Sequence, residues 1–300
     1  MRLGIDLGGT KIEIVLLDAT GAIRYRARTP TPQGDYEATL QAVARLVREA
    51  EQILNPPEKL PLGMGIPGSI APRSGLIQNA NSTCLIGRDL RGDLSRLLER
   101  PVRLANDADC FTLSEATDGA GADAETVFGV ILGTGVGGGI TIGGRLITGP
   151  NAIAGEWGHN PLPWPRPDDG LAAPCYCGRS GCIETYLSGP ALTRQYRQAT
   201  GTPLIPREIA ARAAEGDSAA EALLSGYEDR LARALAMVIN ILDPHAVILG
   251  GGLSNLTRLY QNVPRLWGRY VFSAATPATR LLPARFGDSS GVRGAAWLWS

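Results

Sequence analysis

Two stretches of this 300-residue chain carry the same order of features. Near the N-terminus, Leu3-Gly4-Ile5-Asp6-Leu7 reads as a buried strand and Gly8-Gly9-Thr10 as a glycine-hydroxyl turn. Lys11 to Leu17 is a second strand with Ile12, Ile14 and Leu16 alternating, and Gly21 to Arg28 a third, after a turn at Asp18 to Gly21. The order restarts at Val127 to Leu132, a strand, followed by the glycine turn from Gly133 to Gly139 with Thr134 inside it. Ile140 to Ile142 is the next strand, and Gly143-Gly144 turns into Arg145-Leu146-Ile147. Turns this short join antiparallel neighbours, and a recurring supersecondary unit predicts an internal structural duplication.

The sequence after the first repeat alternates helix and strand. From Tyr36 to Leu54, the positions Leu40, Val43, Leu46, Val47, Ala50 and Leu54 recur at helical spacing, and Pro56-Pro57 stops the run. Leu62 to Ile66 reads as a strand, Leu90 to Leu98 as a helix, Val102 to Ala105 as a strand and Ala108 to Thr117 as a helix, the pattern of an α/β layer. In the second half a long helix from Ala219 to Leu242 ends at Asp243-Pro244, before a strand from Ala246 to Leu249 and Gly250-Gly251-Gly252. Gly291 to Trp299 reads as a short terminal helix.

Charge narrows the partner. With 29 basic against 29 acidic side chains, the chain lacks the field by which Lys and Arg neutralise nucleic-acid or anionic-lipid phosphates, so neither partner is expected. No apolar run approaches the roughly 20 residues of a membrane span. The start goes straight into strand-like sequence without a signal-peptide pattern, which reads as cytoplasmic. Glycine is the compositional outlier, 38 residues against an average usage near 7%. It falls in clusters, which mark loops where backbone comes close to something.

In the first such loop, Gly8 and Gly9 let backbone NH groups reach phosphate oxygens, Thr10 and Lys11 add donors and charge, and Asp6 can hold Mg²⁺ through water. A plain hairpin turn with an exposed acid is the alternative. Gly133-Thr134-Gly135 at the equivalent point of the second half favours phosphate, because two such turns can clamp a polyphosphate from both sides. Gly250-Gly251-Gly252 is either a strand-to-helix turn or a close approach to a nucleoside. Asn106 and Asp107 stand at a strand C-terminus, where open α/β sheets collect ligands. Asp107 is there either a helix cap or a general base toward a hydroxyl, while Asp109 reads as an exposed first-turn acid.

His159 and the loop thiols of Cys175, Cys177 and Cys182 make the usual complement of a closed tetrahedral zinc site, with Gly178 and Gly181 allowing the chain to bend around the ion. Three free thiols beside an unrelated histidine is the competing reading. Cys84 and Cys110 read as small apolar residues, and His245 as a surface residue at a helix end. Glu156 and Glu184 flank the zinc-binding segments, which would pin both carboxylates for hydrogen bonds to a polyhydroxylated ligand; as alternatives both are solvated acids. Trp157 and Trp164 either flank a sugar or pack under a loop.

The segments Gly4 to Lys11, Gly63 to Gly68, Leu104 to Ala108, Gly133 to Gly137, Gly155 to His159, Cys175-x-Cys177-Gly178-x-x-Gly181-Cys182-x-Glu184 and Gly250 to Gly252 together resemble the ROK group of bacterial sugar kinases and related repressors. The resemblance implies an α/β, duplicated actin-like (ribonuclease H-like) ATPase fold, with two domains flanking an ATP and sugar cleft. The first domain would be 1–118, rejoined by a terminal helix at about 288–300, and the second 119–287 with the zinc loop. It implies ATP, Mg²⁺ and structural Zn²⁺ as cofactors, a hexose acceptor and a homodimer. By the same resemblance Asp107 is the base, and Asn79, Asn106, Glu156, His159 and Glu184 hold the sugar. Asp6, Gly8, Gly9, Thr10, Lys11, Gly133, Thr134 and Gly135 surround Mg²⁺ and the phosphates, and Gly250, Gly251 and Gly252 lie near adenosine. Repressor members carry an N-terminal helix-turn-helix, and this chain opens on its first strand, so a DNA-binding role is not expected. Asn79 to Thr83, His159 to Trp164 and Gly287 to Trp299 are most similar to the fructokinases that also accept mannose. Fructose is therefore the expected acceptor, with N-acetylglucosamine kinase, glucokinase or a non-catalytic sugar sensor as alternatives.

Overall fold

A computed structural model describes every residue except Pro57, Asn81 and Ser300, so the second proline of the helix stop and the central asparagine of the 79–83 motif lie outside the described residues. The chain forms two compact units. One comprises Met1–Asp123, Gly139–Ala154 and Arg285–Ser300, the other Ala124–Gly138 and Gly155–Ala284. Residues 119–123 and 139–154, expected with the second domain, thus pack with the first.

In chain order the elements begin with β1 (Arg2–Leu7), β2 (Lys11–Leu17), β3 (Ile23–Pro30), α1 (Tyr36–Leu54), β4 (Leu62–Ile66), β5 (Ser69–Ile70), β6 (Ile77–Gln78), α2 (Leu90–Leu98), β7 (Val102–Asn106) and α3 (Asp107–Thr117). They continue with β8 (Thr126–Leu132), β9 (Val136–Ile142), β10 (Arg145–Leu146), α4 (Glu184–Leu187), α5 (Gly189–Thr200), α6 (Pro206–Ala214) and α7 (Ser218–Leu242). The last are β11 (Ala246–Gly250), α8 (Leu259–Trp267), β12 (Arg280–Pro283) and α9 (Ser290–Trp297). The main sheets run β3-β2-β1-β4-β7 and β10-β9-β8-β11-β12. Counting only the five strands of each sheet in chain order, the third, second, first, fourth and fifth lie side by side in both, so the duplication read from the glycine turns is a duplication of topology.

The first sheet has two different faces because strand side chains alternate. Leu3, Ile5 and Leu7, opposite Leu16, Ile14 and Ile12, bury themselves with Leu40, Val43, Leu46 and Val47 of α1, each such side chain contributing about 1.5–3 kcal/mol. On the other face Val15 and Leu17 meet Leu113 of α3 and Val292, Ala296 and Trp297 of α9. Here glycine decides the packing. A Cβ on Gly4 would stand 2.5 Å from the Ala296 nitrogen, one on Gly63 1.8 Å from the Ala295 carbonyl oxygen, and one on Gly294 1.6 Å from the Cys110 carbonyl oxygen. Helix α9 therefore lies directly on sheet and helix backbone. The buried Glu115 carboxylate locks this return, accepting hydrogen bonds from the Ala120, Arg285 and Phe286 amides and the Ser290 hydroxyl.

In the second unit β8, β11 and β12 are parallel. Asp217 caps α7 by accepting from the Ala219 and Ala220 amides. Buried on α7, Arg233 donates to Asp169 and to the Trp164 carbonyl, so it ties the 164–169 loop to the helix. Helices α5 and α6, absent from the sequence reading, open on Pro190 and Pro206 and bury only Ala191, Leu192 and Tyr196, and Ile209, too few positions for a helical period. Helix α8, also unforeseen, carries Pro264 inside it. No described helix is long and apolar enough to cross a membrane.

Candidate functional site

The first glycine turn closes through a Gly8 amide bond to the Lys11 carbonyl at 3.0 Å. It is held from the side by Thr31, whose amide donates to the Thr10 carbonyl and whose hydroxyl donates to the Gly8 carbonyl at 2.7 Å. Gly9, Thr10 and Lys11 are exposed, and a Cβ on Gly9 would meet nothing within 4 Å. The Lys11 ammonium lies 3.7 Å from Glu13, a buried carboxylate also gripped by Arg26 and Arg28. Asp6, in register with Gly65 of β4, has its carboxyl pushed up to about 6, first by burial and next by the negative Asp107, with Lys11 opposing. Two acids that disfavour each other's charge suit a bound dication.

At the junction of β7 and α3 the N-cap is Asn106. Its Oδ1 accepts the Ala108 amide at 2.9 Å and its Nδ2 donates to the Gly68 carbonyl at 3.0 Å. The cap reading of Asp107 therefore passes to Asn106. Asp107 is exposed in the first turn, its Oδ1 also accepting the Ala108 amide. Asp109, expected on the surface, is half-buried and lines a cavity of about 130 Å³ with Asn106, Ser69, Ile70 and Thr148. Asn79, exposed just after β6, adopts left-handed backbone at φ 54°.

In the second unit Gly133 donates to the Gly135 carbonyl at 3.0 Å, and the turn is bolted down by Glu184, whose Oε2 accepts the Val136 amide at 2.9 Å. A Cβ on Gly135 would stand 2.6 Å from that same oxygen, so glycine is required here to admit a carboxylate. Thr134 is exposed. In the third cluster Gly250 ends β11. Gly251 has φ 81° and would put a Cβ 2.5 Å from the Leu132 carbonyl oxygen, while a Cβ on Gly252 would meet open space. Glu156 is exposed ahead of the short turn Trp157–His159. Trp157 is buried edge-on against Phe128 and donates to the Gly137 carbonyl, whereas Trp164 is exposed and stacks on Tyr270.

His159, Cys175, Cys177 and Cys182 converge, with their ligand atoms all within 4.8 Å of one another. Cys175 Sγ lies 3.5 Å from His159 Nδ1, and Cys177 Sγ 3.6 Å from Cys182 Sγ. Zn–S and Zn–N bonds of about 2.3 and 2.0 Å in a tetrahedron place ligand atoms roughly 3.5–3.8 Å apart, so this donor set fits a closed zinc site. Gly178 and Gly181, at φ 86° and 74°, provide the bends. With Nδ1 facing the thiols, His159 Nε2 faces the hydroxyl of Tyr176 at 3.0 Å. Partial desolvation, then the charges of Glu184 and Glu156, push that phenol up to about 12. Tyr176, the Glu184 bond to Val136 and the Glu115 lock had no sequence signal, because each depends on a distant backbone partner or a ring orientation.

Residues 2–300 match the family model described as ROK family. This chain belongs to the ROK family. It is 42% identical over 302 residues to an N-acetyl-D-glucosamine kinase of Yersinia enterocolitica, covering 99% of both chains. Among solved structures, the ROK hexokinase of Thermus thermophilus matches with a TM-score of 0.86 at 31% identity, over 98% of this chain and 96% of that one. A ROK family glucokinase from Streptomyces griseus, in complex with glucose and AMPPNP, matches at 0.78 and 29%, over 99% and 98%. The duplicated actin-like α/β fold expected from the sequence is thus the fold of this ROK protein. Relatives at 41–42% identity along the whole chain are N-acetyl-D-glucosamine kinases, the acceptor that stood above as an alternative to fructose.

Proposed function

We propose that this ROK protein is an ATP-dependent hexose kinase whose first acceptor is N-acetyl-D-glucosamine. The observation that carries the acceptor is the 42% identity along the whole chain to the Yersinia enterocolitica enzyme; the glucokinase complex with glucose and AMPPNP supports an adenine nucleotide as donor. Asp107 takes the proton of the sugar 6-hydroxyl as that oxygen attacks the γ-phosphorus and ADP departs. Its exposure in the first turn of α3, just after the N-cap Asn106, suits a base. Asn79, Asn106, Glu156, His159 and Glu184 hold the sugar; Glu184 does so with one oxygen, the other being engaged by the Val136 amide. Gly8, Gly9, Thr10, Lys11, Gly133, Thr134 and Gly135 line the phosphates, and Gly250, Gly251 and Gly252 the nucleoside.

Mg²⁺, held through Asp6, supplies charge neutralisation, and Zn²⁺ on His159, Cys175, Cys177 and Cys182 supplies rigidity. Phosphoryl transfer requires mainly alignment and charge neutralisation, so this set suffices. The protein is proposed to act in the cytoplasm as a homodimer, with neither nucleic acid nor membrane as partner. Coupled ADP release across N-acetyl-D-glucosamine, fructose, mannose and glucose tests the reading. Highest kcat/KM on N-acetyl-D-glucosamine is expected; a clear preference for fructose returns the acceptor to the one favoured by the motifs at 159–164 and 287–299. Sugar binding without ADP release on any of the four establishes a sensor instead.

A further inference from the structure

The hydroxyl of Tyr176 sits where a sugar-binding histidine would be expected to keep a vacancy. Metal binding needs the lone pair of His159 Nδ1, which faces Cys175 Sγ at 3.5 Å. The ring proton then resides on Nε2 and is donated to Tyr176 Oη at 3.0 Å. The phenol stands edge-on to the imidazole, with ring centres 5.0 Å apart, and the carboxylates of Glu156 and Glu184 are close enough to act on it electrostatically. One hydroxyl is thus gathered with the three side chains of this unit that the kinase reading assigns to sugar. Tyr176 itself is 78% exposed, so little burial holds it there. Its backbone belongs to a tight loop, closed by the Cys175 amide on the Arg179 carbonyl and the Gly178 amide on the Cys175 carbonyl. The side chain can therefore turn about its own bonds while the metal-binding loop stays in place.

We propose that Tyr176 is a specificity-determining residue of the sugar site, its hydroxyl occupying in the free protein the place on His159 Nε2 that a sugar hydroxyl takes on binding. This rests on the assignment of His159 to the sugar. Binding exchanges one neutral hydrogen bond for another, so a sugar gains at His159 only the difference between its own hydroxyl and that of Tyr176, and a sugar with no hydroxyl in reach leaves the tyrosine seated.

The test uses zinc-loaded protein carrying isotope-labelled histidine. The chain has two histidines, so His245, whose Nδ1 faces the Thr126 amide, serves as an internal reference for folding. The His159 Nε2 signal is expected to move on Tyr176→Phe in the free protein and to move in the wild type on saturation with N-acetyl-D-glucosamine. Tyr176→Phe, freed of the competing hydroxyl, is expected to bind that sugar about two- to tenfold more tightly by calorimetry. An unmoved Nε2 signal in either comparison, or unchanged or weaker affinity in the variant, overturns the proposal. A sugar that is phosphorylated yet leaves the signal unmoved removes only the role of Tyr176. A sugar that moves the signal without ADP release removes only the kinase reading.

Discussion

A carboxylate at a strand end can cap, ligate or take a proton, and its neighbours choose among these. Asn106 is the N-cap of α3 through its Oδ1, while its Nδ2 holds the Gly68 carbonyl, and Asp107→Asn is expected to lower kcat by roughly 10²–10⁴-fold with sugar affinity by calorimetry little changed. Turnover near wild type would remove the base assignment. Asp6 supports a second prediction. Its folded pKa, about 6, lies above the ordinary 3.8 through burial first and Asp107 next. Ionising it therefore opposes folding: the penalty is absent below the unfolded value, grows as pH rises through the interval between the two, and is full above about 6. In metal-free protein Asp6→Asn should raise unfolding stability at pH 8 by about 1–3 kcal/mol, with no gain near pH 4, while lowering activity. Urea titration at the two pH values checks it; an equal gain at both would show that the carboxyl is not strained. The types and order of these acids were legible in the sequence. Their division of labour was not, because it depends on which amide or carbonyl lies within 3 Å.

At the scale of elements, periodicity located what it could. Helix α1 runs Tyr36–Leu54 as its apolar spacing indicates, and α2 runs Leu90–Leu98. The misses have physical causes: β5 and β6 are two residues each, and α5 and α6 bury too few side chains to show a period. The glycine clusters point by sequence mainly to ligands, and the structure divides glycine between two roles. Gly4, Gly63 and Gly294 touch no candidate ligand residue; they let α9 lie on backbone. Gly63→Ala is accordingly expected to destabilise by about 1–3 kcal/mol or more, because the carbonyl of Ala295 cannot swing aside. Gly9→Ala, with open space at its Cβ, should stay within about 0.5 kcal/mol in stability while weakening nucleotide affinity. Urea unfolding of both variants, with nucleotide titration of the second, separates packing glycines from binding glycines. Equal destabilisation by the two would defeat that division.

At the scale of the whole molecule, two sheets repeat one strand order, and the second unit carries a candidate metal-binding cluster within its loops. The cluster joins Cys175–Cys182 to His159, and Glu184, two residues after Cys182, holds the Val136 amide of the glycine turn. Chelation or Cys177→Ser is expected to release about one zinc per chain. Amide exchange should then quicken over residues 155–189 and at Val136, while the β3-β2-β1-β4-β7 sheet keeps its protection. Freshly prepared protein without zinc, or loops equally protected after its removal, would contradict the assignment. The sequence by itself determined the duplication, the long amphipathic helices and the members of the candidate metal cluster, because each is written in residue type and spacing. Only the tertiary structure decided that Asn106 is the N-cap of α3 and shares the Ala108 amide with Asp107, that Glu184 bolts down the second glycine turn and Glu115 the terminal helix, and that Tyr176 covers His159. Those facts are distances between atoms far apart in the chain, and no local pattern encodes a distance that packing alone sets.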